Sequence, residues 1–226
     1  MRMLMIFGIS LLSFAMIPGL IALAADHAIA FTAGQAVSLP KPRMDSGMSL
    51  MKSLAQRQSA REFKTDKLDK QTLADLLWAA WGINRPALGK RTAPSARNWQ
   101  DMTVYVVLES GIFTYDAKVH ALVPKIAGDH RAVTGKQDFV SVAPVNLVYV
   151  SDFGKLETKD LSKKERYAGS HAGFIAQNVY LYCASAGLAT VVRALFDGTE
   201  LGAALGLNST QHAILAQTIG WPVSKK

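Results

Sequence analysis

The chain has a single cysteine, Cys183, in 226 residues. No intramolecular disulfide is therefore available, even in an oxidising compartment. Cys183 lies inside the apolar stretch QNVYLYCASAGL and reads as a small buried hydrophobe rather than a reactive thiol. There is no internal repeat and no low-complexity tract. No G-x-G-x-x-G follows a strand-like run, so a Rossmann fingerprint is absent, as are a phosphate-binding P-loop and a G-x-S-x-G nucleophile elbow. His120, His130, His171 and His212 do not share one helical turn, and cysteine cannot help them, so no metal site is expected. Long hydrophobic runs are also missing beyond the N-terminus, so nothing after it spans a bilayer.

What is there begins with MRMLMIFGISLLSFAMIPGLIALAADHA. One basic residue, Arg2, precedes an uncharged apolar run that ends in small residues. That is the pattern of a secretory signal peptide, cleaved after Ala24 or, as the alternative, after Ala30. An uncleaved anchor is the competing reading, but Pro18 and Gly19 interrupt the run. Export, to the bacterial periplasm, is the expectation, with no stable membrane anchor after cleavage. The organisation that follows is a leader at 1–24, an arm at 25–45 containing Pro40 and Pro42, and one domain at 46–226. Half the residues are hydrophobic, enough for a real core, and the formal charge is +8. The positive residues are dispersed rather than gathered in a stripe, and an exported chain rarely meets nucleic acid, so a small anionic ligand suits the charge better.

Periodicity outlines the elements. A helix is expected from about Ser46 to Arg57, with Leu50, Met51 and Leu54 on one face. A second has Asp69 as N-cap, Leu68 and Leu73 as a hydrophobic staple, and Gly82 at its end. Its Leu73, Leu76, Leu77, Ala80 and Trp81 follow the helical repeat. Residues 83–101 read as a long polar loop, a kind that is often functional. MTVYVVLE reads as a strand, GIFTYDAKVHALV as a hairpin turning at Asp116 and Ala117, and Asp129 as the cap of a short helix. VNLVYVSD is a nearly continuous apolar strand, as in a sheet covered on both faces. The longest helix runs from Ser162 to Ala186 with Gly187 as its stop. LATVVRALF is extended, Asp197 and Glu200 open a helix to Leu205, and HAILAQTIGWP is the last strand. Interleaved helices, strands and hairpins define an α+β layered domain, not a regular doubly wound one.

One short segment carries chemistry. In RQSAREF, residues 57–63, Arg57, Ser59 and Arg61 share one side of an extended chain. Two guanidiniums and a hydroxyl there suit a phosphate or another flat anion. A solvated basic turn is the plain alternative.

That segment resembles the R-x-S-x-R-x-F opening of the nitroreductase family of FMN-binding flavoproteins. APSARNWQ, residues 93–100, is similar to the family's P-S-x-x-N-x-Q segment. HAGFIAQNVYLYCASAGLATVVRALFD, residues 171–197, resembles its long helix with the following G-L-G-T-V turn and F-D. IGWP, residues 219–222, resembles the terminal G-x-P. The hairpin YDAKVHAL is similar to the branch of SagB-type, azoline-oxidising dehydrogenases. The motifs run in family order from Arg57 to Pro222.

The resemblance implies a three-layer fold, with a central mixed, mainly antiparallel sheet flanked by helices, and an intertwined homodimer holding flavin at its interface. It implies that Arg57, Gln58 and Ser59 hold the phosphate and ribityl chain of FMN, and that Arg61 lies near the N1/C2 edge of the ring. Asn98 would hydrogen-bond the flavin's polar edge, with loop capping as the plain alternative, and Gln100 is a further cofactor-binding candidate. Val192, Arg193, Ala194 and Leu195 would lie along the ring, with the Ala194 backbone N–H directed to N5. Lys225 or Lys226 would stand for the family's C-terminal phosphate contact, with a tail that makes no such contact as the plain alternative. The turn departs from the family at Ala189, where glycine is usual. The implied activity is an FMN-dependent oxidoreductase passing hydride or electrons between a donor, with NAD(P)H as a transient one, and a small organic acceptor. The alternatives are a non-catalytic exported flavin- or anion-binding protein, and a basic binder of anionic lipid or polymer.

Overall fold

The structure, a computed structural model, describes residues 29–223. The expected leader at 1–24, and Lys225 and Lys226, lie outside the described residues. In chain order the elements are β1 (Val37–Ser38), α1 (Leu50–Gln56), α2 (Lys70–Trp81), β2 (Ile83–Arg85), β3 (Lys90–Arg91), β4 (Met102–Leu108), β5 (Gly111–Asp116) and β6 (Ala121–Ala127). They continue with α3 (Phe139–Val142), β7 (Val145–Asp152), α4 (Leu161–Ala186), β8 (Ala189–Arg193), α5 (Gly198–Leu205) and β9 (Gln211–Gly220).

Local chemistry sets the helix ends. Asp69 Oδ1 accepts the Thr72 N–H at 2.8 Å, and the Gly82 N–H returns to the Trp78 carbonyl. Asp160 caps α4 through the Lys163 N–H, while Gly187 closes it at φ 70°, a left-handed conformation that glycine adopts without a Cβ clash. Asp197 accepts from both Thr199 and Glu200 at the start of α5.

Seven strands form one sheet in the order β1-β6-β5-β4-β7-β9-β8. The expected helix-flanked, mainly antiparallel sheet is present, but it is not mixed: every pair among the described strands is antiparallel. Alternation splits its side chains between two layers. Val104, Val106, Val145, Leu147 and Tyr149 meet α2 and α4 in the main core. Tyr105, Val107, Val148 and Val150 meet Leu201 and Leu205 of α5 on the other face. Burial of Leu73, Leu76 and Leu77 beneath α2 contributes about 1.5–3 kcal/mol each. Cys183 is fully buried in the same core.

Several expectations shift. The polar stretch after α2 is not one open loop, because β2 pairs antiparallel with β3. The β5–β6 hairpin closes at the Asp116–Ala121 pair, so its turn is centred beyond Asp116 and Ala117, with His120 at φ 49°. β8 ends at Arg193. Asp129 accepts the Arg131 N–H ahead of a single 3-10 turn rather than capping an α-helix. The arm is not loose: β1 adds to the sheet edge, and Arg43 pairs with the buried Asp75 at 2.7 Å. In α1 the apolar face turns outward, with Leu50, Met51 and Leu54 at 62, 73 and 44 % exposure.

Candidate functional site

The basic segment after α1 lies along the open edge of the sheet. Phe63 anchors it, buried against Ala143, Ala189 and Val191, and a bridge ties Phe63 to Pro222. Gly220 is required for that approach, since a Cβ there would sit 2.7 Å from Pro144 Cδ and 3.3 Å from the Phe63 ring. The Ala60 N–H donates to the Thr190 carbonyl at 3.0 Å. The Val192 N–H donates to the Tyr180 hydroxyl oxygen at 2.9 Å, and that hydroxyl shares a 2.8 Å hydrogen bond with Ser59 Oγ. Tyr180 thus links the segment to β8, a role its place in an apolar helical run did not reveal.

A cavity of about 420 Å3 opens there, walled by Gln58, Ser59, Arg61, Tyr180, Thr190 and Val223 among others. That size suits a small-molecule or cofactor site. Gln58, Ser59 and Arg61 are therefore brought together. Arg57 stands just behind the wall, its guanidinium 5.2 Å from the centroid of the Tyr180 ring. Neither Arg57 nor Arg61 has a carboxylate partner among the described residues.

On an edge strand, alternate backbone groups face outward. Thr190 and Val192 use theirs toward the segment and Tyr180, so the N–H of Ala194 lies on the same edge. Among the described residues it has no partner. Val192 is half-buried, and Ala194 and Leu195 are exposed.

The resemblance leaves the direction of the Arg193 side chain open, and the structure turns it inward. The guanidinium turns into the protein and is buried. Nη1 donates to the Thr134 carbonyl, Nη2 to Thr134 Oγ1 and Asn146 Oδ1 at 2.9 Å each, and Nε to Thr218 Oγ1 at 3.1 Å. Burial without a counter-ion pushes its pKa down to about 10. Only its backbone borders the edge.

The loop at 93–101 is held by a different buried cluster. The Ala96 N–H donates to His171 Nε2 at 2.8 Å. Nδ1 must then carry the imidazole proton, which it donates to Asp101 Oδ1 at 2.7 Å, while Ser151 donates to Asp101 Oδ2 at 2.6 Å. Burial raises the Asp101 pKa, but the hydrogen bonds from His171 and Ser151 outweigh it and hold the carboxyl below its usual range. The loop carries three non-glycine residues at positive φ: Arg97 at 49°, Asn98 at 58° and Gln100 at 47°. Strain of this kind persists only where surrounding structure enforces it. Gln100 Nε2 donates to the Gly89 carbonyl and to Asn98 Oδ1.

Asn98 and Gln100 do not join Ser59 and Arg61. Their loop contacts α4 at His171, whereas the first cavity touches it at Tyr180, Ala184 and Gly187. The nine residues from His171 to Tyr180 span about 14 Å along the axis and about half a turn around it. The two groups thus occupy opposite flanks of one helix, and a small ligand in one chain reaches only one of them.

An antiparallel sheet flanked by helices, a long helix with a cavity on each flank, and a basic segment on the sheet edge are the features to be matched. The nitroreductase family model matches residues 54–221. The crystal structure of a protein from Ralstonia eutropha JMP134, described as a nitroreductase, is 42 % identical, with a TM-score of 0.81, covering 88 % of this chain and 95 % of that one. A nitroreductase-named protein of Methanocaldococcus jannaschii is 28 % identical over 177 residues, 74 % of this chain and 88 % of the relative. The E. coli microcin synthetase McbBCD complex, solved with truncated pro-MccB17 bound, shares the fold at a TM-score of 0.64 and 20 % identity, over 96 % of this chain and 85 % of that one. The chain belongs to the nitroreductase family, and is an oxidoreductase of that family.

Proposed function

We propose that the protein is an FMN-dependent oxidoreductase that passes reducing equivalents from a donor, with NAD(P)H as a transient one, to a small organic acceptor. The observation that carries this is the cavity beside Ser59 and Arg61. It presents Ser59 and the unpaired Arg61 guanidinium beside edge strand β8, with Arg57 next to it over the Tyr180 ring, which suits a phosphate tail and a flat hydrogen-bonding ring. When bound, FMN supplies reversible hydride exchange at N5. Arg57 and Ser59 hold the phosphate and ribityl chain, with Gln58 beside them and Lys225 as a further contact. Arg61 offsets negative charge at the N1/C2 edge. Val192 and the backbone of 193–195 flank the ring, and the Ala194 N–H orients N5. None of these residues is asked to move a proton.

The working unit in this reading is a homodimer, the common state of the family. Its support is the separation of the half-sites, because Asn98 and Gln100 of one copy can complete the cavity at Ser59 of another. The outward Leu50, Met51 and Leu54 of α1 and Phe174 of α4, 46 % exposed, supply an apolar surface for a second copy to cover. Within the family we place the chain near the SagB-type, azoline-oxidising branch, on the β5–β6 hairpin and the fold shared with McbBCD, without assigning it azole formation. Export follows from the leader pattern, and N-terminal sequencing of the mature protein tests it. No described helix is long and apolar enough to cross a membrane.

The deciding experiment is the visible spectrum of the purified protein, followed by anaerobic titration with candidate donors. Flavin bands that bleach on donor addition are expected. A colourless protein that also fails to take up added FMN refutes the reading, and a yellow protein that no donor reduces favours a non-catalytic flavin carrier.

A further inference from the structure

We propose that the cavity walled by Arg85, Lys90, Arg91 and Arg97 is an oxyanion-recognition site that selects a substrate by its carboxylate or phosphate group. Its place beside a flavin rests on the function proposed above; its charge and geometry do not.

The cavity measures about 440 Å3 and is shared with Ala93, Pro94, Ser95, Asn98 and Gln100. No carboxylate lines it. Residues 83–100 contain no Asp or Glu at all, and the next acid, Asp101, is turned inward to His171 and Ser151. Some cations of this basic chain find partners, as in Lys67–Glu109, Arg131–Asp129 and Lys136–Glu200, and others, such as Arg57 and Arg61, do not among the described residues. Here Arg85, Lys90 and Arg91 join no ion pair among the described residues. Arg97 has only a 3.8 Å contact with Glu157 between two largely exposed side chains. Asp116 acts on Arg91 electrostatically but is not part of the wall. Like charges around a concavity repel one another and focus the field on its interior. An anion removes that repulsion.

Arg91 makes the cavity more than a charged surface. Its guanidinium stacks on the Trp81 ring, 4.7 Å from the centroid. Nε donates to Gln100 Oε1 at 2.7 Å and Nη1 to the Trp81 carbonyl at 2.9 Å. Two bonds and a stacked face fix the plane, and Nη2 has no partner among the described residues. A fork held this way has already lost its rotamer freedom, so ligand binding does not have to remove it. Gln100 also ties the hairpin tip to the loop through Gly89 and Asn98. The β2–β3 hairpin and the strained loop therefore present their cations as one unit.

Two sources carry the chemistry, the carboxylate of an organic acceptor and the 2′-phosphate of NADPH, and the test separates them. FMN-loaded protein is compared with its Arg85→Ala, Lys90→Ala double variant. Acceptors are 4-nitrobenzoate and its neutral analogue 4-nitrobenzamide; donors are NADPH and NADH. Benzoate and 2′-AMP are also titrated calorimetrically into the protein, and FMN retention is measured alongside. The kcat/KM ratio of anionic over neutral partner should fall about tenfold in one arm, and the corresponding anion should bind about tenfold more weakly. The arm that responds names the source. Equal ratios in both proteins, or wild-type protein that binds neither anion, overturn the proposal. So does loss of FMN from the double variant, which would make the cavity part of the flavin site. If wild-type protein never binds FMN, the proposed function fails, while calorimetry on the flavin-free chain still decides this inference.

Discussion

Replacing Arg193 with methionine separates a structural arginine from a ligand-facing one. The wild-type guanidinium makes four hydrogen bonds, to Thr134 twice, Asn146 and Thr218. Not all its acceptors are orphaned by the change. Thr218 Oγ1 still donates to Asn146 Oδ1, and Thr134 Oγ1 still donates to the Arg131 carbonyl. The Thr134 carbonyl is left exposed to the loss, at about 1–3 kcal/mol. Hydrogen bonds to a charged donor are worth about 1.5–3 kcal/mol each, but the variant also recovers several kcal/mol spent on burying an unpaired charge. The net expectation is a loss of about 2–4 kcal/mol, with Arg193→Lys falling between the two. Urea unfolding of flavin-free protein reads this directly, and FMN affinity is measured well below the unfolding transition. The structure requires a lower midpoint and nearly unchanged FMN affinity. A methionine variant as stable as wild type but unable to retain FMN would refute the inward placement of this side chain.

Other outcomes follow from the same geometry. Arg57→Ala should weaken FMN retention about tenfold to a hundredfold, the scale of a charge-assisted hydrogen bond. Lys64→Ala, an exposed neighbour, should not, as fluorescence titration would show. Asp101→Asn should destabilise the fold by about 1.5–3 kcal/mol, because one of its two donors then faces an amide N–H. Since the native carboxyl lies below its unfolded value of about 3.9, its contribution is complete above that pH and fades as pH falls further. The variant's acid-unfolding curve should accordingly be shallower than wild type's. Leu50→Glu with Met51→Glu should convert a dimer to monomer in analytical ultracentrifugation without lowering the protomer's helix content; a variant that still sediments as a dimer would remove α1 from the interface.

The legible part of the fold was local. Asp69, Asp197, Gly82 and Gly187 mark helix ends by chemistry acting within four residues, and the short apolar, β-branched runs MTVYVVLE and VNLVYVSD mark strands by composition and length. The site was legible as motifs but not as geometry. Ser59 and Arg61 stand in a legible motif, yet Tyr180, the hydroxyl that joins Ser59 to Val192, is hidden in an apolar helix. The structural role of His171 carries no sequence signal because its partners are remote: Asp101 lies 70 positions away and Ala96 lies 75. No signal of shorter range would have exposed them.

By itself, then, the sequence determined the caps of α2, α4 and α5, the existence of the main strands, which segments carry an anion-receptive pattern, and which nucleotide folds are excluded. Capping, periodicity and turn preference are short-range forces, and each is written within one turn or one strand. Only the tertiary structure decided that Arg193 points inward, that the arm joins the sheet, and that the two expected flavin-binding segments lie on opposite flanks of α4. Those outcomes depend on strand register and helix packing between residues tens of positions apart, where one step along a strand reverses the direction of a side chain.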